Sequence, residues 1–591
     1  MWKILKNNMS GTQKRYAAVC VIFIVFQVWL DLRLPGYMSA ITTLVETEGS
    51  AVSDIVRHGI YMIICALGSM GTSMIVGFFA ARVASGVAKT LREKVYDRIL
   101  DFSMEEINHF STASLINRNT NDITQIQNLV AMGLQAIVKA PILAVWAILK
   151  IAGKNWQWTT ATGIAVIVLV IMLVFILRYA MPRFQKMQDL TDKLNRVTRE
   201  QLTGIRVVRA YNAEDYQEKK FSDANDEITE NNLAAHRVMA LMGPGMTLIS
   251  SGLTLSVYWA GTFIIAAAGA GSRLSIFSDM VVFSNYAMMV IMAFMMLNMI
   301  LIILPRAQVS ANRILEVLDT KARIKDGIRI TRNTSEKPVE KGTVEFRNVS
   351  FRYPDGGDDV IKDISFKANQ GETIAIIGAT SSGKSTLISL IPRLYDATEG
   401  QVFVDGIDVK EYSQEALRDR IGYAAQQAIL FSGTVKSNIG YGNNGNEMPE
   451  GIVEEAAAVS QSTEFIIKKE GAFEAHVAQN GTNFSGGQKQ RLSIARAVAR
   501  KPEILVFDDS FSALDYKTDK AVRSALKKEA ENTTLFIVAQ RIGTIKDADK
   551  IIVLEHGRAV GIGTHSELLK TCSVYQEIAR SQLTREELES A

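Results

Sequence analysis

Cysteine is scarce in this chain: Cys20, Cys65 and Cys572 are the only three among 591 residues, and they lie far apart. No pair has ligand spacing, so neither a disulfide framework nor a cysteine metal site follows, and buried or incidental thiols are expected. An excess of one charge is also missing. The 65 Lys and Arg against 61 Asp and Glu leave a formal +4, which gives no nucleic-acid footprint and no nucleic-acid partner. No small-residue cleavage site follows the first apolar run, so that run is expected to stay as an anchor. The connection 42–55 contains Glu46, Glu48 and Asp54 but no Lys or Arg.

Apolar sequence, by contrast, is plentiful. Hydrophobic residues make up 48% of the chain beside 21% charged, an average that conceals two unlike halves. The length allows about three or four ordinary domains. Residues 1–310 contain six apolar stretches, at 16–41, 56–81, 129–153, 158–180, 241–268 and 278–304. Each exceeds the roughly 20 residues a helix needs to cross about 30 Å of hydrocarbon. One such run could be a buried core helix, but six in succession exclude a soluble fold. Basic residues fix the orientation. Segment 82–128 carries Arg82, Lys89, Arg92, Lys94, Arg98 and Arg118, and segment 178–240 adds nine more, from Arg183 to Lys220. These two loops and both termini are therefore expected in the cytoplasm, and the short connections outside.

The two cytoplasmic loops are too long to be turns. Val87, Leu91, Val95 and Ile99 recur at helical spacing, so the loops read as helices continuing the spans. Breaks are expected near Phe102–Phe110 and Ala210–Gln217, where short helices would cap each extension. Span six carries Met280, Met288, Met289, Met292, Met295, Met296 and Met299. Such thioethers suit a surface that accepts ligands of several shapes, or equally lipid and helix packing, and seven must cover more than one face. Asp31 and Arg33, just before Pro35, sit deep enough in span one to require a partner or water. They line a substrate path or pair across the bundle; both readings stand.

The second half carries nucleotide chemistry. A linker is expected over 311–343, carrying Pro338, and an α/β domain over 344–585. Thr373–Ile377 is strand-like and feeds Gly378-Ala-Thr-Ser-Ser-Gly-Lys-Ser-Thr386, a G-x-x-x-x-G-K-[ST] loop. Glycines Gly378 and Gly383 let backbone N–H groups, such as those around Ser381 and Thr386, converge on phosphate oxygens. Lys384 would reach the outer phosphates and Ser385 would offer its hydroxyl to Mg²⁺. Asp508 closes the apolar strand Ile504–Phe507, where a carboxylate can hold Mg²⁺ directly or through water. Tyr353 follows the strand Val344-Glu-Phe-Arg-Asn-Val-Ser-Phe-Arg352, and its ring can stack on adenine.

Together with Asn483-Phe-Ser-Gly-Gly-Gln-Lys-Gln-Arg491, these motifs resemble the nucleotide-binding domain of the ATP-binding-cassette (ABC) superfamily. The whole chain looks like an exporter half-transporter: a six-helix transmembrane domain followed by an α/β P-loop NTPase domain. The Asn483–Arg491 signature sets it apart from kinases and GTPases. The resemblance implies ATP and Mg²⁺ as cofactors, with Gln426 as the Mg²⁺-sensing glutamine. It implies that Ser485, Gly486, Gly487 and Gln488 close on ATP held by the opposite subunit. Asp515 in Ser512-Ala-Leu-Asp515 falls in the loop that communicates between the two sites, and residues 115–122 and 204–211 resemble segments near the coupling helices. The implied location is the cell membrane of a bacterium, with the nucleotide domain cytoplasmic.

The chain departs from that pattern where hydrolysis is driven. Asp509 stands in place of the catalytic glutamate, and Gln540, in Ala539-Gln540-Arg541, in place of the switch histidine. An aspartate is one methylene shorter and withdraws the carboxylate by about 1 Å, a misplacement that can cost about 100-fold. An amide can bond a γ-phosphate but cannot become cationic. Gln479 also replaces a glutamate of the exporter pattern. The expectation is a heterodimer: a second half-transporter with intact glutamate and histidine, embedded with this chain in a lipid membrane and exporting small hydrophobic or amphiphilic, drug-like substrates. An ATP-gated channel or regulator, an importer, and a lipid or peptide exporter are the alternatives; membrane-first fusion of both halves favours export by analogy.

Overall fold

A computed structural model describes the chain except for residue 1, residue 48, 153–154, 270–271, 332–339, residue 355, 444–447, 530–531 and 585–591. Pro338 lies outside the described residues, as does the side chain of Met299. The chain divides into two compact units, one of Met1–Leu100 with Ala113–Thr320 and the other of Asp101–Thr112 with Lys321–Ala591.

The first unit is helical, and among the described residues six helical stretches are long and apolar enough to cross a membrane. They run through Gly11–Val45, Val52–Leu100, Thr112–Ile151, Trp156–Thr203, Glu214–Ala267 and Arg273–Leu297, matching the six apolar runs. Several spans extend far beyond membrane thickness: Val52–Leu100 and Trp156–Thr203 are 49 and 48 residues long. Val87, Leu91 and Val95 are buried along the first of these extensions, as their spacing requires. Span one opens on a capping box, in which the Ser10 hydroxyl accepts from Gln13 N–H and the Gln13 side chain returns the bond.

Span one differs from the single helix expected over 16–41. It is two helices, Gly11–Asp31 and Leu34–Glu46, with Pro35 in the first turn of the second. Proline has no N–H to donate and disfavours helical backbone before it, so the helix ends there and starts again. The Tyr286 hydroxyl donates to the Leu32 carbonyl at 2.9 Å, inside the bundle, and so partners a backbone group at the break. In the second cytoplasmic loop the short helix is Ile205–Ala210, and the chain breaks at 211–213 before Glu214–Ala240. The expected break was right in place, but its short helix precedes it, because Gly204 ends the long helix first. Helix Arg273–Asp319 continues through the first residues of the expected linker. Of its methionines, Met280 is buried, whereas Met288, Met292 and Met295 are exposed on one face at i, i+4, i+7.

The second unit is an α/β domain. Five strands are parallel in the order Lys550–Glu555, Thr373–Gly378, Thr534–Val538, Ile504–Asp508, Ile421–Ala424, and Arg558–Gly563 adds an antiparallel edge. Every residue of Ile504–Asp508 and Thr534–Val538 is buried, the continuous apolar run that a sheet covered on both faces demands. One face packs against an antiparallel sheet built on Val344–Phe351, through Phe346, Phe366 and Phe536. The other packs against helices through Phe507, Leu526 and Tyr575. The segment Met104–Phe110, from the first cytoplasmic loop, belongs to this unit. It is a short helix capped reciprocally by Ser103 and Glu106, with Phe102 and Phe110 stacked at 5.7 Å. Glu105 pairs with Arg323 at 2.6 Å, and Asn108 donates to the Tyr395 hydroxyl at 3.1 Å.

Replacing Tyr286 by Phe leaves the Leu32 carbonyl without that buried donor. A loss of about 1–3 kcal/mol is expected, read as a lower thermal midpoint of the detergent-solubilised protein. An unchanged midpoint would show that the break needs no cross-bundle hydrogen bond.

Candidate functional site

The parallel strands place the chemistry. Gly378 ends one strand, Asp508 ends the next but one, and Val538 ends the strand between them, just ahead of Gln540. A cavity of about 420 Å³ lies at these ends, walled by Ser381, Gly383, Lys384, Ser385, Thr386, Gln426, Asp509 and Gln540. Eight residues singled out from the sequence thus meet in one space.

The loop can follow its path only with these residue types. A Cβ on Gly378 would stand 2.1 Å from the Leu554 carbonyl oxygen, a backbone atom of the adjacent strand that cannot step aside. Gly383 has φ +99°, and a Cβ there would meet Ile361 at 2.7 Å, so both its conformation and its surroundings require glycine. Ser381 also holds a positive φ of 65°. Lys384 Nζ donates to the Gly378 and Ala379 carbonyls at 3.0 and 2.7 Å. The Ser382 hydroxyl is buried without a hydrogen bond among the described residues, an unmet polar atom of the kind a phosphate oxygen would satisfy.

Ser385 donates to Asp508 at 2.8 Å, which assembles a hydroxyl and a carboxylate suited to a hard cation. Burial raises the Asp508 pKa, opposed by the Ser385 hydrogen bond. Burial likewise raises that of Asp509, opposed by Gln540. Burial lowers the pKa of Lys384, while Asp509 and Asp508 push it up. All three groups are thus held where charge is costly, and phosphates with a cation would relieve that cost.

Gln540 Nε2 donates to Asp509 Oδ2 at 2.9 Å. The two departures from the expected hydrolytic pair therefore contact each other. Asp509 adopts φ 47°, a left-handed conformation unusual for a non-glycine residue. Its carboxylate is engaged by a neutral amide that can neither gain nor pass a proton at ordinary pH.

Tyr353 does not line the cavity but adjoins it, with its hydroxyl 3.0 Å from Thr386 Oγ1. Sequence reasoning missed the ring beside it: Tyr395 stands edge-on to Tyr353 at 5.4 Å. Only the fold brings these two together, and no motif marks Tyr395. Val360 and Val538 also line the cavity, unsignalled because an apolar wall residue resembles any core residue.

The signature lies elsewhere. Ser485 caps the 14-residue helix Gly486–Ala499, accepting from Gln488 N–H while the Gln488 side chain accepts from Ser485 N–H. Ser485 and Gly486 are exposed, and a Cβ on Gly487 would come within 3.1 Å of the Ala513 carbonyl. Gly486 lines a second cavity of about 500 Å³ with Gln426, Lys489 and Gln490; Gln426 is common to both. Asp515 accepts from Thr518 N–H and hydroxyl at 3.0 and 2.7 Å, capping its own helix.

Comparisons with known proteins agree with this layout. Residues 17–297 match the ABC transporter transmembrane region family, and 361–512 match the ABC transporter family. The chain is 38% identical over 559 residues to an uncharacterized ABC transporter ATP-binding protein of Mycobacterium tuberculosis, covering 92% of this chain and 93% of that one. It is 34% identical to another from Bacillus subtilis, over 97% of each. An ATP-dependent lipid A-core flippase of Aromatoleum aromaticum is 31% identical over 90% of this chain and 86% of its own length. Among solved structures, a bacterial Atm1-family ABC exporter with ATP bound superposes with a TM-score of 0.82 at 24% identity, covering 97% of this chain and all of the other; it is a likeness of fold.

Substituting Gly378 by Ala forces its Cβ into the Leu554 carbonyl. ATP binding, measured by fluorescent-nucleotide titration, is expected to weaken by more than about tenfold. Binding at the original affinity would show that the loop tolerates a shifted strand.

Proposed function

The chain belongs to the ABC transporter family, a multi-pass membrane protein with a cytoplasmic ATP-binding domain, and from that premise we propose that it is one subunit of a heterodimeric exporter whose own phosphate loop holds ATP but cleaves it poorly. The observation that carries this reading is the pair at the strand ends, Asp509 tied to Gln540. Hydrolysis needs a carboxylate aimed at water and a group that follows charge on the γ-phosphate. Here the carboxylate is short, and its partner is an uncharged amide.

Lys384, Ser381, Gly383 and Thr386 would hold the phosphates, and Tyr353 the adenine. Ser385, Asp508 and Gln426 would hold Mg²⁺, which when bound neutralises charge developing on the phosphates. Their oxygens are of the hard type that this cation takes. Ser485 to Gln488, of which Ser485 and Gly486 are exposed and none lines the chain's own phosphate cavity, would complete the site of the second subunit, and Asp515 would link the two. ATP-driven closure of the nucleotide domains would be passed to the membrane half through helices such as Met104–Phe110, whose Asn108 touches Tyr395 beside Tyr353. Hydrolysis in the second subunit's loop would reset the transporter.

The cargo on this reading is amphiphilic or drug-like. The exposed face of Met288, Met292 and Met295 supports it, since thioethers adapt to varied shapes. A lipid cargo is the second reading, supported by the identity with the flippase of Aromatoleum aromaticum.

In vesicles containing both subunits, neutralising the second subunit's glutamate is expected to abolish export, and Asp509→Asn to leave most of it. Equal loss from both defeats the asymmetry. The double change Asp509→Glu with Gln540→His is expected to raise ATP turnover at this chain's loop by about tenfold or more. If the unaltered chain by itself forms a homogeneous dimer with rapid turnover, the two-chain reading fails.

A further inference from the structure

Gln540 follows the strand Thr534–Val538 and precedes the helix Ile542–Ile545, which has only four residues. So short a helix cannot hold itself together, because nucleation costs more than its few hydrogen bonds return. Its N-cap residue, Arg541, makes no side-chain cap, which leaves the first N–H groups of the helix to find partners elsewhere.

One side chain supplies what is missing. Gln582, the last residue of helix Ser573–Gln582, accepts from Ile542 N–H at 2.8 Å and donates through Nε2 to the Gln540 carbonyl, also at 2.8 Å. Its amide thus presents one acceptor and one donor, as a peptide group does, and bridges the backbone on either side of Arg541. The far end of the short helix has its own tie, from the Thr544 hydroxyl to Asp519 at 3.3 Å. Gln582 holds the end next to Gln540.

The helix that carries Gln582 is firmly seated. Tyr575 and Ala579 are fully buried, in the cluster that also contains Ile542 and Ile545. The Tyr575 hydroxyl lies 2.7 Å from His565 Nδ1, and Gln576 donates to the Leu569 carbonyl at 2.8 Å. Residues 575, 579 and 582 recur at i, i+4 and i+7, so they share one face of the helix. Gln582 is itself exposed, so its placement owes little to burial and much to these two hydrogen bonds.

The end that Gln582 holds reaches into the phosphate cavity. Gln540 Nε2 donates to Asp509 at 2.9 Å, and both side chains line that space. An amide nitrogen has two N–H groups, so the one not turned to Asp509 is left for a phosphate oxygen. Moving the Gln540 backbone by about 1 Å would take its amide out of hydrogen-bond range. Gln582 is not part of the cavity wall and acts only through Gln540.

We propose that Gln582 is a positioning residue of the phosphate site: by bridging the backbone around Arg541 it holds the Gln540 amide for the γ-phosphate, and so sets how well the site tells ATP from ADP. This rests on the reading of the loop as an ATP site, and not on the heterodimer.

The test uses the full-length chain in its native assembly, photolabelled with an azidoadenine analogue of ATP so that the labelled band reports this chain's own site. Unlabelled AMP-PNP and ADP compete on ice with Mg²⁺, and the ratio of their affinities is read. Gln582→Met, similar in length but without the amide, is expected to lower the AMP-PNP to ADP ratio about fivefold, with ADP affinity unchanged. Gln540→Ala is expected to lower it at least as much. Combining the two should lower it no further, because both remove the same contact. Equal loss for both nucleotides in Gln582→Met overturns the proposal and marks a structural cap. So does an unchanged ratio, or an additive loss in the double variant. If neither nucleotide competes in the unaltered assembly, the ATP-site reading fails and takes this proposal with it.

Discussion

Parallel pairing at the centre of the nucleotide domain is the constraint on which the rest depends. Thr373–Gly378 lies beside Thr534–Val538, and that strand beside Ile504–Asp508, in continuous register. Parallel strands end on the same edge, so the phosphate loop, the Asp508–Asp509 pair and Gln540 emerge together. Burial of the strands on both faces locks this register, because sliding any strand would move the loops apart and unpair its backbone. Local conformation then refines what topology delivers. Gly378 passes under the Leu554 carbonyl, and Asp509 turns left-handed to meet Gln540.

Much of this was legible in the sequence, for identifiable reasons. Six long apolar runs leave the chain few options in a bilayer, so the spans could be placed from composition. The phosphate-loop residues are contiguous in sequence, and the apolar strand before Asp508 fixes where its carboxylate emerges. Other features depend on distant pairing. The neighbouring rings of Tyr353 and Tyr395 are separated by strands and a helix, and no local pattern links them. Pro35 was visible, but the break in span one was not inferred from it, because uniform apolarity masks a change of helix axis. The second cytoplasmic break falls within the expected 210–217, whereas its short helix lies earlier because Gly204 ends the preceding helix.

The membrane half shows how a few polar residues organise an apolar bundle. In water an exposed ion pair adds little; among the spans, the alternative to pairing is an isolated charge, so Asp31, Lys139 and Ser69 tie three helices together. The same reasoning explains why Tyr286 reaches the freed carbonyl at Leu32. Of the two readings of Asp31, pairing across the bundle is the one observed, while Arg33 sits over the Trp29 ring at 5.0 Å.

The grouping of Asp101–Thr112 with the C-terminal residues bears on how this protein can be dissected. A fragment beginning after residue 320 would carry Arg323 without Glu105 and Glu106, and Tyr395 without Asn108. It would be a domain lacking a piece of its own surface. Biochemistry on such an excised half would report a molecule that the intact polypeptide never contains, and grafting the twelve-residue loop segment back is the natural way to make it whole.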